Sequence, residues 1–138
     1  MIKKFATAAV LALTIGTAGL ATIAPATAGG QVSISFAPSD PEQAEALGMG
    51  LQMFSIVKGL SGQGADVSQN GNFNAAGIAQ NGSGNHGLVV QEGDGHTGTI
   101  NQDGNNNSCG LFQFGENTNA QCAQTGNNQS SVTTVFGF

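Results

Sequence analysis

Two regimes of hydrophobic spacing follow an apolar N-terminal stretch. Between residues 29 and 62 the apolar positions first alternate, at Val32, Ile34 and Phe36, then step by threes and fours, at Ala44, Leu47, Leu51 and Phe54. Alternation predicts a short extended segment, and the wider spacing places one apolar face on a helix. Asp40 before Pro41, with Gln43 three positions on, reads as an N-cap with proline at the first helical position, and Gly59 as a stop. From residue 63 the pattern changes. Glutamine recurs every eleven residues at Gln69, Gln80, Gln91, Gln102, Gln113 and Gln124. A glycine follows each by two positions, at Gly71, Gly82, Gly93, Gly104, Gly115 and Gly126. Five positions after each glutamine stand Asn74, Asn85, His96, Asn107, Thr118 and Gln129.

A fixed short period means like units stacked on one another. Eleven residues are too few for a helical repeat but fit one strand and one tight turn. Because residues two apart share a strand face, counting back from each glutamine gives the inward set. It holds Val67, Ile78, Val89, Ile100 and Leu111, spaced by small or polar residues. The Q-x-G-x-x-N segments are turns, where glycine takes positive φ freely and asparagine tolerates it. If successive strands fold back as arches, Val67 meets Ala76, Ala65 meets Ile78, Val89 meets Gly98, Gly87 meets Ile100 and Leu111 meets Ala120. Every such pair sets a large side chain against a small one, which fills a thin core. Strands two apart in sequence stack in register, aligning their glutamines and asparagines as amide ladders.

The expected fold is therefore all-β: a short β-solenoid of stacked arches with two facing sheets, about three 22-residue units, preceded by a leader helix. Three units make a stack only ~14 Å tall, with both ends left as unpaired strand edges. The leader helix is expected to pack on an end or flank of the array; recognition as a sorting signal is compatible with that packing.

Composition narrows the function. Lys3 and Lys4, the apolar and small-residue run Phe5 to Ile23 and Ala26-Thr27-Ala28 form a tripartite secretory pattern, so residues 1–28 read as a signal peptide; a transmembrane anchor is the alternative, disfavoured because Thr14, Gly16, Thr17 and Gly19 dilute the stretch. The chain then divides into that peptide, a leader at 29–62 and the repeat array at 63–138. Eight carboxylates face one base, Lys58, in the segment 29–138, a net of −7. Without a basic stripe, nucleic-acid binding is excluded as a function class. Glycine, asparagine and glutamine dominate, a composition shared by disordered tracts and β-stacking segments, but disorder imposes no register.

The residues match a family pattern. Gln69-Asn70-Gly71-Asn72-Phe73-Asn74-Ala75-Ala76 resembles in full, and Gln80-Asn81-Gly82-Ser83-Gly84-Asn85 resembles through its turn, the curlin repeat of bacterial functional amyloid. The resemblance covers about residues 63–135 in six in-phase copies. It implies a secreted β-solenoid subunit that polymerises into adhesive extracellular fibres supporting biofilm. It also implies export through an outer-membrane secretion pore with export chaperones, with itself or another curlin subunit as partner; no membrane insertion of the mature chain is expected, since no charged stop-transfer flank follows the N-terminal stretch. This sequence departs from the family in its longer leader, its roughly three units, His96, Thr118 and Gln129 in asparagine slots, and two core cysteines. Those departures leave major, nucleating and accessory subunit all open.

Other chemistry is weakly supported. Cys109 and Cys122 are symmetric about the turn at 113–118, and secretion makes a disulfide available. Facing sheets lie about 10 Å apart while bridged Cα atoms need roughly 4.4–6.8 Å, so a bridge requires a local pinch; two free thiols filling the core are the alternative. His86 falls on an outward face and His96 in a turn slot, without metal-ligand spacing, and both read as solvated or turn-bonding histidines. Glu92-Gly93-Asp94-Gly95 is similar to a calcium-binding nonapeptide only in passing, since its period is wrong. No serine–histidine–acid set or carboxylate pair sits on a pocket, so no enzyme activity and no cofactor are expected. The rival class is a monomeric secreted solenoid binding ice, a glycan or another surface ligand. It needs a flat repeated outward face, whereas Ala75, Gly77, Ala79, His86, Leu88, Val90, Thr97, Thr99 and Asn101 form no ladder of one type.

Overall fold

The computed structural model describes residues 22–24 and 30–138. The signal-peptide reading of 1–28 lies outside the described residues except for Thr22–Ala24, a three-residue strand, β1. Eight further strands and one helix follow: β2 (Gln31–Phe36), α1 (Pro41–Val57), β3 (Gly64–Asn70), β4 (Ala75–Asn81), β5 (His86–Asp94), β6 (Thr97–Asp103), β7 (Ser108–Glu116), β8 (Asn119–Thr125) and β9 (Ser130–Gly137).

The repeat strands form a β-solenoid of about three turns. β3, β5, β7 and β9 pair in parallel in one sheet, and β4, β6 and β8 in the other. Every parallel register joins residues 22 apart, such as Gln69 with Gln91 and Gln80 with Gln102. Each layer is thus two strands and two turns: β3 with β4, β5 with β6, β7 with β8. Val89, Ile100, Cys109, Leu111, Ala120, Cys122 and Val135 fill the space between the sheets. The fit is tight where glycine faces an aliphatic side chain. A Cβ on Gly87 would meet Ile78 at 3.0 Å and Ile100 at 3.5 Å, and one on Gly98 would meet Val89 at 3.2 Å.

Two expectations need correction. Val67 was assigned to the core, yet it is 40 % exposed. It occupies the core column, paired with Val89, but β3 is an edge strand and no layer lies beyond it among the described residues. The second concerns the far end of the larger sheet, where β9 is not left as an edge, although β8 remains the edge of the smaller sheet. β2 runs antiparallel along β9, from Gln31 opposite Gly137 to Phe36 opposite Val132, and β1 runs antiparallel along β2. The larger sheet therefore has six strands and the smaller three.

The helix forms where its signals place it. Asp40 Oδ1 accepts the Glu42 and Gln43 N–H groups, Pro41 opens the first turn, and Lys58 caps the end before Gly59 at φ 81°. It buries Ala44, Gly48, Leu51 and Ser55 against the outer face of the six-stranded sheet. Leu51 joins Leu88 and Val90 in a second apolar cluster edged by Leu60, Phe112 and Val132. Phe54, only partly covered, meets Phe112 edge-on at 5.4 Å. No helix among the described residues is long and apolar enough to cross a membrane.

Candidate functional site

The periodic polar residues converge on two amide ladders. Gln69 Nε2 donates to Gln91 Oε1 at 2.7 Å, and Gln91 to Gln113 at 2.8 Å. On the other side Gln80 donates to Gln102, and Gln102 to Gln124, both at 2.8 Å. Each donor amide from Gln80 onward also reaches a backbone carbonyl 16 residues back: Gly64, Ala75, His86, Thr97 or Ser108. A buried amide left unpartnered costs about 1–3 kcal/mol, so this double use lets glutamines sit inside the core. Gln91 and Gln113 are wholly buried.

The turns are stitched in the same direction. Asn74, Asn85 and Asn107 donate from Nδ2 to the carbonyls of Gly93, Gly104 and Gly126, each at 2.8 Å. Their Oδ1 atoms accept the N–H groups of His96, Asn107 and Gln129 in the next layer, each at 3.0 Å. Gly71, Gly82, Gly93, Gly104, Gly115 and Gly126 all have positive φ. A Cβ on Gly71, Gly82 or Gly93 would stand 1.9 Å from the carbonyl oxygen of the glycine one layer on. These glycines are needed for close approach as much as for φ.

A second left-handed position escaped sequence reasoning. It lies four residues after each glutamine, at Phe73, Gly84, Gly95, Asn106, Asn117 and Asn128, with φ between 52° and 74°. The asparagine that follows is the stacking residue, not the one with positive φ. The glycine and asparagine content of that column was the available signal; Phe73 conceals it and is 94 % exposed.

The histidines also differ from expectation. His96 does bond within a turn, but it is buried: Nε2 lies 3.3 Å from the Glu92 carbonyl and Nδ1 2.7 Å from Thr118 Oγ1. The imidazole spans the groups an asparagine would join. His86 is not solvated. It points outward from the sandwich but lies beneath α1, with Nε2 3.2 Å from Ser55 Oγ and 3.3 Å from Asp66 Oδ2. A serine, a histidine and an acid thus do come together, which the sequence reading had not foreseen. Both neighbours approach one nitrogen, and Nδ1 is buried without a partner. A nucleophilic serine needs one ring nitrogen to accept its proton while the acid holds the other. Here Ser55 and Asp66 share Nε2, so the ring does not stand between serine and acid, and the cluster joins the helix to the sheet. Burial would raise the Asp66 carboxyl. Bonds from Ser61 Oγ, His86 and the Gly62 and Ser61 N–H groups outweigh that and hold it below the usual carboxylate value. Among the described residues no group of three or more acidic, histidine or cysteine side chains is arranged to hold a metal.

Cys109 on β7 and Cys122 on β8 form a disulfide, with Cα atoms 6.7 Å apart. That distance is shorter than the roughly 10 Å of ordinary facing sheets and within reach of a bridge.

Comparison with known families places one name on this geometry. Residues 64–87 match the curlin-associated repeat. The matched stretch is the first layer of the solenoid with the start of the second. Within it Gln69, Asn74, Gln80 and Asn85 bond to the layer 22 residues on, and Gly71 and Gly82 lie close against that layer's glycine carbonyls. No curated protein and no solved structure matches the chain.

Proposed function

We propose that the chain is a secreted structural subunit of an extracellular, curli-like amyloid fibre that supports adhesion and biofilm. The observation that carries this reading is the pair of parallel amide ladders, which join the three layers and stop at an uncovered one. β3 and β4 are edge strands on the same end, with Val67 exposed between them. Open strand edges with aligned amides are a template for further strands. A contact that does not close on itself propagates as a filament. In this reading residues 1–28 direct export, an outer-membrane pore and chaperones deliver the chain, and fibre partners are further curlin-repeat chains. The leader helix then belongs to the folded subunit. The acidic charge opposes lateral clumping and slows assembly at low salt.

The test is to delete the gene and score surface fibres and adhesion, and to incubate purified 29–138 with growing curlin-repeat fibres. Loss of fibres or adhesion, and entry of the chain into cross-β material, are expected. A chain that never enters fibres would end this reading in favour of a monomeric binder of ice, glycan or another surface ligand.

A further inference from the structure

The bonds between layers have a direction, and the two ends of the stack therefore differ in kind. Each glutamine Nε2 donates to the Oε1 of the following layer. Each turn asparagine donates to the following layer's glycine carbonyl and accepts an N–H from it. The first layer, residues 64–85, has no layer before it among the described residues. By the pattern of the layers below, it offers as acceptors Gln69 Oε1, Gln80 Oε1 and the carbonyls of Gly71 and Gly82. It offers as donors the N–H groups of Asn74 and Asn85. Its complement is a layer ending in two free glutamine amides and two free asparagine amides. That layer must carry glycine two positions after each glutamine, since any Cβ there would strike the carbonyl of the layer it joins.

The opposite end of this chain does not supply that complement. Val135 stands opposite Gln113, where one ladder would continue. Gln113 Nε2 turns instead to Thr118 Oγ1 at 2.9 Å, and Gln124 Nε2 to Ser131 Oγ at 3.3 Å. The asparagine slots of the last turns hold Thr118 and Gln129, and the Gln129 amide bonds back to Thr125 O within its own turn. Over β9 lies β2, running the wrong way, with Ser33 opposite Val135 and Ser35 opposite Thr133. On β8 the side-chain amide of Gln31 occupies both backbone groups of Asn119, accepting its N–H at 2.7 Å and donating to its carbonyl at 2.8 Å. On this end β9 is covered by a strand of the wrong direction and its ladder by the wrong residue types, and on β8, the edge of the smaller sheet, a side chain holds the first backbone pair that a joining strand would need.

We infer that this chain does not link to copies of itself end to end. It joins, through β3 and β4, the end of a fibre built from a different repeat chain, one whose last layer carries free glutamine and asparagine amides. Its own β2 and β9 end refuses the next subunit, so it terminates growth there. This inference rests on the fibre reading above and goes beyond it by naming the partner surface and the consequence.

The experiment uses the folded 29–138 chain, gold-labelled, with fibres of a curlin-repeat protein whose every layer carries glutamine and asparagine at the ladder positions. Label at one tip of each fibre, loss of elongation from that tip at substoichiometric amounts, and no long fibres from the chain alone are expected. Long fibres formed by the chain alone would overturn the terminal role while leaving the fibre reading intact. Failure to bind any tip or enter any fibre would overturn both. Val67→Lys puts an uncompensated charge on the open edge, at a side chain already 40 % exposed. This variant should keep its fold by circular dichroism and lose tip binding. Undiminished capping by the folded variant would show that β3 and β4 are not the joining surface.

Discussion

The six-stranded and three-stranded sheets share one core and differ in what lies behind them. Their inward faces carry the same alternation of small, aliphatic and glutamine residues. Their outward faces do not. On β5 the outward residues are His86, Leu88 and Val90, all buried under α1. On β6 the outward residues are Thr97, Thr99 and Asn101, all exposed. The inner face thus repeats every eleven residues and the outer face every 22, because successive strands belong to opposite sheets. A stack this short gains a second hydrophobic layer on one side only, and that layer makes the leader part of the fold.

The strongest way to break this comparison is to remove the second layer. Leu88 is fully buried beneath Leu51 and beside Val90. Leu88→Ala should lower unfolding free energy by about 2–5 kcal/mol, the range for buried leucine truncations. Denaturant melts would read the loss as a lower midpoint. A change under about 1 kcal/mol, far below that range, would mean that the helix contributes little to the stack.

Next in size is the covalent tie between the two sheets. Cys109 and Cys122 close a loop across a sequence separation of 13 residues, for which chain entropy gives roughly 2–4 kcal/mol. Cys109→Ser with Cys122→Ser, or reduction of the folded chain, should therefore cost nearly as much as Leu88→Ala. An unchanged midpoint under reductant would show that the facing strands hold their spacing without the bridge.

The inward faces were legible in the sequence because one residue type marks each layer and a period of two follows from it. The helix was legible too, since Asp40, Pro41 and the spacing of Ala44 and Leu51 are local signals. What lay behind each sheet was written less plainly. The outward apolar residues Leu88, Val90, Phe112 and Val132 fall on alternate strands only, which marks a covered face, but the signal appears only when strands are sorted by sheet. The seal on β9 had no periodic signal. Val32, Ile34 and Phe36 foretell a strand, yet nothing in their spacing names Ser130–Gly137 as its partner or sets its direction. Val67 shows the converse limit: its residue type and register fit the core, and only the end of the stack exposes it.

Acid should loosen the helix-backed side selectively. The Asp66 carboxyl is held below its ordinary value in the fold, and an unfolded aspartate titrates near about 3.9. A depressed folded value means the stabilisation is fully present above the unfolded value and is lost as pH falls through the folded one. The contribution of the Asp66 carboxylate should therefore be whole above about pH 5, begin to weaken below about 4, and be lost only as pH falls through the depressed folded value. Tryptic or hydrogen-exchange mapping should show α1 loosening before the inner ladders. Asp66→Asn should remove that acid-dependent part; an Asp66→Asn chain with the same pH profile would assign the effect elsewhere.

The smallest expected effect is on the bare sheet, and it sharpens the comparison most. Thr99 is exposed on β6, flanked in the stack by Gly77 and Gln121, with no side-chain bond drawing on its hydroxyl. Thr99→Ala removes one methyl and one hydroxyl from solvent, and such surface changes stay within about 0.5 kcal/mol. Thr99→Lys should be tolerated nearly as well, because a charge there remains in water. Val90→Lys, at an outward place on β5 two residues beyond the counterpart of Thr99, must bring a charge under the helix, where an unpaired ion is expensive. The two lysine variants differ in sheet and not in chemistry. A midpoint that falls sharply for Val90→Lys and barely moves for Thr99→Lys follows if one face is covered and the other open. Equal losses would mean that the three-stranded face is covered as well, by a surface supplied from another molecule.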